Sequence, residues 1–200
     1  MLVVGIGVAV LAPFLELFWY TIDWWQPATI TNTKVGIEDL LLGFTNGGIA
    51  AVLYETVFRK RLYQREFKNP LKKIQLIIPP ILGISIASIC FWVFQIHSFY
   101  SNLIALFISL FLILLWRKDL IINSLMSGIL LVIVCLPFYL IGILWLAPGY
   151  VQRSWLFENL TGILFWGIPI EDLIWYFIVG LVLGPFYEFS QQLRLRKIKK

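Results

Sequence analysis

The chain has 200 residues, of which 60% are hydrophobic and only 14% are charged. A water-soluble domain of this size does not need so much apolar surface, so the composition excludes a soluble protein and predicts an integral membrane protein. The net charge of +5 does not indicate nucleic-acid binding, because the predicted membrane topology accounts for where the basic residues lie.

Long apolar runs predict six membrane-spanning helices that form one all-α domain over residues 1–200. The runs lie near residues 2–20, 35–54, 75–97, 101–116, 120–147 and 162–187. The segments 55–74, 117–119 and 189–200 hold fourteen of the sixteen Lys and Arg residues. We expect the protein to lie in the cell (inner) membrane. Because basic segments stay on the cytoplasmic side, we expect both termini and the basic tail 189–200 to face the cytoplasm.

A short acidic motif occurs twice, in the second and in the sixth predicted span. The copies lie around 35–55 and 168–188, and they agree at eight positions between 36–55 and 169–188. Each copy contains Ile-Glu-Asp-Leu and ends with Tyr-Glu. Both spans run from the outside inwards, so the copies predict a parallel internal repeat about an axis along the membrane normal.

The acidic residues of the two copies are the candidate catalytic groups. Carboxylates within a bilayer are costly and mark function by default, and two matched copies suggest one polar site. For Glu38 and Glu171 a functional role is favoured over helix capping, whereas Asp39 and Asp172 fit either role equally. Supporting roles at the cytoplasmic boundary are expected for Tyr54, Glu55, Tyr187 and Glu188.

Aromatic side chains accompany these acids and are the candidate substrate-binding residues. They are Phe44 in the first copy and Trp166, Trp175, Tyr176 and Phe177 around the second. Trp175 follows Glu171 by four residues, so the two share a helix face. Removal from water favours the protonated form of a carboxyl group, and aromatic faces stabilise cations. The combination suits protonation of an alkene in an apolar ligand, followed by rearrangement of the carbocation.

The sequence carries no motif for a metal or a nucleotide. It has no CxxC, HExxH, Gly-rich nucleotide loop or Walker motif, and Cys90 and Cys135 are interpreted as core residues of apolar spans. A prenyltransferase is disfavoured because no pair of Asp-Asp-x-x-Asp motifs is present to bind magnesium diphosphate. We therefore predict no metal site and no nucleic-acid partner.

The second copy of the repeat carries a recognisable pattern. A Pro-x-Glu-Asp motif precedes aromatic residues within 168–177, and Gly180, Gly184-Pro185 and Tyr187-Glu188 follow it. This pattern resembles the signature of the lycopene cyclase domain family, small integral-membrane enzymes of carotenoid synthesis with two related halves that are fused or split between two chains. In the first copy, Gly36 replaces the proline and Leu41-Leu42-Gly43 replaces the aromatic run.

The resemblance implies that the chain converts linear ψ end groups of lycopene to rings without net redox change. Glu171 and Glu38 would be proton donors, and Asp172 and Asp39 would tune or relay the proton. The cation site would be lined by Trp175, Tyr176 and Phe177. The expected partners are an apolar polyene substrate and membrane lipid. No cofactor is predicted, while a requirement for reduced flavin and assembly as a homo- or hetero-oligomer stay open.

Two other functions remain as alternatives to a carotenoid cyclase. A proton-coupled transporter would use Glu38 and Glu171 as a buried proton-binding pair. A non-catalytic membrane subunit would pair with a second chain, because some members of the family are split proteins.

Overall fold

The computed structural model describes residues 1–64 and 70–197 of this membrane protein. Within them, six helices are long and apolar enough to cross a membrane, which confirms the predicted number and the all-α helix bundle. The six spans are Leu2–Asp23, Ile37–Val57, Lys73–Val93, Ser98–Trp116, Lys118–Gly142 and Ile170–Ser190. Many large apolar side chains on these helices are exposed, as expected for surfaces that face lipid.

The regular helices are numbered here in chain order. They are α1 Leu2–Leu15, α2 Ile37–Val57, α3 Lys73–Ser88, α4 Ser98–Trp116, α5 Ile121–Tyr139, α6 Tyr150–Ser154, α7 Ile170–Leu183 and α8 Phe186–Ser190. Three of them continue directly as π-helical segments, which are Glu16–Tyr20 after α1, Ile89–Val93 after α3 and Leu140–Leu146 after α5. In two of them a proline lies three residues before the π-helical segment, Pro13 in α1 and Pro137 in α5, and weakens the regular hydrogen-bond ladder there.

The sixth span begins later than the sequence predicted. Residues 162–169 are not helical: strands β2 Leu164–Phe165 and β3 Ile168–Pro169 form a hairpin before α7 starts at Ile170. Trp166 and Gly167 both have positive φ, at 50° and 84°, which is the backbone of a tight hairpin turn. The helix was predicted to start at residue 162 because this stretch is apolar. A short hairpin can be as apolar as the end of a helix, so composition did not distinguish the two.

A second pair of strands closes the opposite end of the bundle. Strand β1 Lys60–Tyr63 pairs antiparallel with β4 Arg194–Lys197, with Arg61 opposite Arg196. Part of the predicted basic tail is thus a strand, while residues 198–200 lie outside the described residues. We call this the basic end, and we call the end that carries Trp24 and Trp155 the aromatic end.

Helices α2 and α7 run in the same direction. Their first turns lie at the aromatic end, where Leu42 of α2 and Asp172 of α7 line one cavity. The strands that follow in the chain, β1 after α2 and β4 after α8, pair at the basic end. The fold therefore has the parallel arrangement that the predicted repeat requires.

The repeat extends to the helices that precede α2 and α7. Gly5 of α1 lies against the carbonyl oxygen of Phe44, and a Cβ at that position would be 3.0 Å from the oxygen. Gly128 of α5 lies in the same way against the carbonyl oxygen of Phe177, at 2.8 Å. Phe44 and Phe177 are matched positions of the two motif copies, so the hairpins α1–α2 and α5–α7 pack through corresponding contacts.

A second matched contact supports the same correspondence. A Cβ at Gly47 would lie 3.2 Å from the carbonyl oxygen of Val4, and one at Gly180 would lie 2.7 Å from that of Ser127. Small residues at these points let the helix backbones approach closely, as is common between membrane helices. The shared glycine of the two copies therefore has a packing role in each hairpin.

Candidate functional site

A cavity of about 470 Å³ lies at the aromatic end, between α1, α2, α5 and α7. We call it the aromatic cavity. Its aromatic side chains are Tyr20, Trp24, Trp25, Phe138, Tyr139, Tyr150, Trp155, Trp175 and Tyr176. Two carboxyl groups, those of Glu16 and Asp172, share its wall. The cavity is thus an apolar, ring-lined space with a small number of polar groups, as ligand sites commonly are.

Asp172 reaches this cavity from the first turn of α7. Its side chain is only 7% exposed and is held by two donors from the neighbouring elements. The Tyr139 hydroxyl donates to Oδ2 through a short hydrogen bond, and Trp155 Nε1 donates to Oδ1 at 3.2 Å. Of the four acids in the predicted catalytic set, Asp172 is the one found among the cavity-lining residues.

Glu16 is the second carboxyl group of the cavity, and the repeat does not point to it. Its side chain is 5% exposed, and Oε2 accepts a hydrogen bond from Trp25 Nε1 at 2.8 Å. Glu16 follows Gly5 by eleven residues, just as Tyr139 follows Gly128 by eleven. Its counterpart is therefore a tyrosine, and a search for duplicated acids passes over it. The sequence feature that could have pointed to Glu16 is that it is an acidic residue inside the first apolar run.

The duplicated glutamates hold the loops that lead into their helices. Glu171 is 2% exposed, and its Oε1 accepts from the backbone N–H of Thr161 at 2.8 Å and from the Thr161 hydroxyl at 2.7 Å. Glu38 Oε1 accepts from the backbone N–H of Ile30 at 2.5 Å. Neither residue is among those that line the aromatic cavity. In both copies the glutamate thus accepts a hydrogen bond from a backbone N–H of the preceding loop.

Asp39 caps the helix to which it belongs. It lies in the first turn of α2, and its Oδ2 accepts from the backbone N–H of Gly36 at 2.8 Å. This satisfies one of the free N–H groups at a helix start. Asp39 and Asp172 occupy matched positions in the two copies, yet only Asp172 lines the cavity.

The predicted aromatic residues lie in three places: the aromatic cavity, the β2–β3 turn and the contacts between helices. Trp175 and Tyr176 line the aromatic cavity. Trp166 lies in the β2–β3 turn and is 64% exposed. Phe44 and Phe177 lie at the helix contacts with Gly5 and Gly128, respectively.

The predicted supporting residues lie towards the basic end, away from the aromatic cavity. Glu188 is fully buried, and its Oε1 accepts from Asn123 Nδ2 at 2.5 Å. Arg117 donates to the backbone carbonyl oxygen of Glu188 at 3.1 Å. The other three residues of this set are half-buried, namely Tyr54, Glu55 and Tyr187. These contacts tie α5, α8 and the loop after α4 together.

Tyr150 brings a further hydroxyl group to the cavity from the connection between α5 and α7. Burial raises the pKa of Tyr150, and the negative charges of Asp39 and Glu38 add to the effect. The hydroxyl therefore stays protonated at neutral pH and can donate a hydrogen bond.

The candidate metal ligands do not cluster in the ranges that the structure describes. Within 1–64 and 70–197, no three His, Cys, Asp or Glu side chains are grouped so as to hold a metal ion. Both Cys90 and Cys135 are free and half-buried. Cys135 lies in the wall of the aromatic cavity, where it adds a small apolar surface.

Comparison with known proteins gave one match. Residues 97–190 match the family model described as Lycopene cyclase. The matched part contains all helices from α4 to α8, together with Tyr139, Trp155 and Asp172, but not Glu16 or the first copy of the motif. No curated protein and no solved structure matches the chain.

Proposed function

We propose that this chain cyclises the linear end group of a carotenoid polyene in the aromatic cavity, because residues 97–190 match the lycopene cyclase family model. The observation that carries the proposal is the pair of carboxyl groups, Glu16 and Asp172, in one ring-lined cavity. The family match supports carotenoid cyclisation in general. The carboxyl groups and aromatic rings of the cavity support the choice of residues in the proposed mechanism.

The reaction needs one proton donor, one proton acceptor and no electron carrier. A carboxylic acid gives its proton to the terminal double bond, which leaves a tertiary carbocation. The neighbouring double bond attacks this cation, a carbon–carbon bond closes the ring, and the positive charge moves to a ring carbon. A carboxylate then removes a proton from the carbon beside that charge. The product is an isomer of the substrate, so the proposal requires no redox cofactor.

Hydrogen bonding assigns the two roles in this proposal. Both oxygens of Asp172 accept hydrogen bonds, from Tyr139 and Trp155, and such donors stabilise a carboxylate. Asp172 is therefore the proton acceptor. Glu16 receives its hydrogen bond at Oε2, from Trp25, and is the proton donor. A pair of carboxyl groups held in different surroundings is a common way to separate acid from base.

The aromatic rings of the cavity serve the cationic intermediate. The faces of Trp and Tyr rings attract a cation within about 6 Å of the ring centroid, and the attraction grows when water is excluded. Trp24, Trp175 and Tyr20 pack edge to face at this site, with centroids 5.2 to 6.5 Å apart. Their packing fixes the ring orientations and excludes water, which would otherwise capture the cation as an alcohol.

The proposal is tested by expressing the chain in a bacterium that accumulates lycopene and separating the extracted pigments by chromatography. We expect cyclic carotenes from the unmodified chain and from Glu158→Gln, a control in which an exposed acid of the matched region is changed. We expect lycopene to persist with Asp172→Asn. If the unmodified chain is present in the membrane and lycopene is unchanged, the proposal is contradicted in favour of a non-catalytic subunit or a transporter.

A further inference from the structure

A second apolar space lies alongside the aromatic cavity. It has a volume of about 300 Å³ and lies between α1, α3, α4 and α7. We call it the apolar channel. Along α1 and the π-helical segment after it, the lining extends from Val3 to Tyr20, a distance of about 25 Å at the rise of an α-helix. The space is therefore long and narrow, unlike the wider aromatic cavity.

The apolar channel and the aromatic cavity share part of their walls. The residues that line both are Glu16, Tyr20, Leu42, Asn46 and Trp175. Glu16 thus stands at the junction between them. The two spaces therefore adjoin at these shared side chains.

The polar side chains that α4 contributes to the channel wall are hydrogen-bonded within the protein. Asn102 donates to the carbonyl oxygen of Ser98 at 3.0 Å and accepts from the Tyr20 hydroxyl at 3.2 Å. Ser109 donates to the carbonyl oxygen of Pro79 at 2.9 Å. Because these side chains are already hydrogen-bonded, this wall of the channel suits a hydrocarbon that carries no hydrogen-bonding groups.

One side of the channel opens toward the surface that faces lipid. Val3, Gly7 and Leu11 line it at intervals of four residues along α1, and all three are exposed. On the facing helix, Ile84 also lines the channel and is 44% exposed. A slit between α1 and α3 therefore connects the channel sideways to the bilayer.

We propose that the apolar channel holds the unreacted remainder of the polyene while its end group lies in the aromatic cavity, and that the substrate enters sideways through the slit between α1 and α3. This inference rests on the proposed function. A rod-like polyene matches the length and the apolar walls of the channel, and it dissolves in the bilayer from which the slit opens. The position of Glu16 at the junction places a carboxyl group near the end of the chain that reacts.

Gly7 is the position at which the channel can be filled without disturbing helix packing. No atom lies within 4 Å of a Cβ built there, so a larger side chain finds space in the slit or channel. Gly142 is the matched control, because a Cβ there also meets nothing within 4 Å and the residue lines neither space. The variants to compare are Gly7→Phe and Gly142→Phe.

The experiment measures conversion of two substrates by the full-length protein in membranes. One is lycopene, and the other is an apolycopenal, which keeps one linear end group but lacks the far part of the chain. With Gly7→Phe we expect kcat/KM for lycopene to fall about tenfold and that for the apolycopenal to stay within about twofold. With Gly142→Phe both substrates should react as they do with the unmodified chain.

Other results would overturn the inference. If Gly7→Phe converts lycopene normally, or loses both substrates equally, the channel does not hold the distal chain and is occupied by lipid instead. If the unmodified chain converts neither substrate, the proposed function fails and this inference fails with it. Should Gly7→Phe not accumulate in the membrane, Gly7→Leu gives the same comparison.

Discussion

The two carboxyl groups of the aromatic cavity differ in their hydrogen bonds, and this difference makes the proposed roles testable at single residues. Glu16→Gln and Asp172→Asn each remove an ionisable group and retain nearly the same shape. Because proton transfer by a positioned group contributes about 10²- to 10⁴-fold to a rate, we expect each change to lower cyclisation at least about 100-fold. Pigment conversion normalised to the amount of protein in the membrane measures the effect.

The duplicated glutamate provides the contrast to that experiment. Glu171→Gln keeps an oxygen that can accept the two hydrogen bonds from Thr161. We therefore expect cyclisation within about tenfold of the unmodified chain and a small loss of thermal stability. A Glu171→Gln variant that is folded but inactive, beside an active Asp172→Asn variant, would reverse the assignment of the site.

The Tyr139 hydroxyl donates to Asp172, and in the proposed mechanism it acts through that carboxyl group, so Tyr139→Phe should lower activity without abolishing it. Losing a hydrogen bond to a charged group costs about 1.5–3 kcal/mol, which corresponds to a fall of about 10- to 100-fold if the bond is needed in the transition state. Tyr100→Phe is the control, because Tyr100 is 45% exposed and lies outside the cavity lining. Equal activity of Tyr139→Phe and the control would show that the bond has no role in turnover.

At the residue scale the sequence predicted some of the residues that line the aromatic cavity. The motif led to Asp172, Trp175 and Tyr176, which do line the cavity. Glu171 could not be separated from Asp172 by sequence, because adjacent residues near a helix start point in different directions and both side chains are buried, while only Asp172 lines the aromatic cavity. Glu16 was missed because its place in the repeat is taken by a tyrosine in the other copy.

At the scale of the elements, the close contact of α5 with α7 makes the shared glycine of the repeat sensitive to any side chain. A Cβ at Gly180 would lie 2.7 Å from both Gly128 Cα and the Ser127 carbonyl oxygen, so the helices must separate. We expect Gly180→Ala to destabilise the protein by about 1–3 kcal/mol. Thermal unfolding in detergent should show a midpoint lower by roughly 2–4 °C for each kcal/mol.

Gly142→Ala is the control for that measurement, because a Cβ there meets nothing within 4 Å. Its midpoint should stay close to that of the unmodified protein. Equal stability of Gly180→Ala and Gly142→Ala would mean that α5 and α7 are not in close contact at this point.

The elements themselves were largely predictable from sequence, because six long apolar runs leave few alternatives in a bilayer. What sequence did not predict was the hairpin within 162–169 and the strand Arg194–Lys197, since short strands depend on a partner distant in the chain. The extension of the repeat to α1 and α5 was also hidden. It is carried by backbone contacts of Gly5 and Gly128 rather than by identical side chains along the helices.

At the scale of the whole molecule, the two ends of the bundle differ in charge, and we propose that the basic end faces the cytoplasm. In a background without Cys90 and Cys135, single cysteines can be placed at Arg61→Cys at the basic end and at Gln152→Cys in the connection near the aromatic cavity. Both positions are exposed. A membrane-impermeant thiol reagent should label Gln152→Cys in intact cells and Arg61→Cys only after the cells are opened. The opposite labelling would invert the topology.

The proposed reaction closes a ring in the cavity of Glu16 and Asp172 by adding and removing a proton, without a redox step. The most direct measurement is the conversion of lycopene by the purified protein in heavy water, with the product analysed by mass spectrometry. We predict that each ring formed carries one deuterium delivered by the exchanged carboxyl group, and that Glu16→Gln gives neither product nor label. A cyclic product without deuterium, or an unchanged yield with Glu16→Gln and Asp172→Asn, would contradict the account.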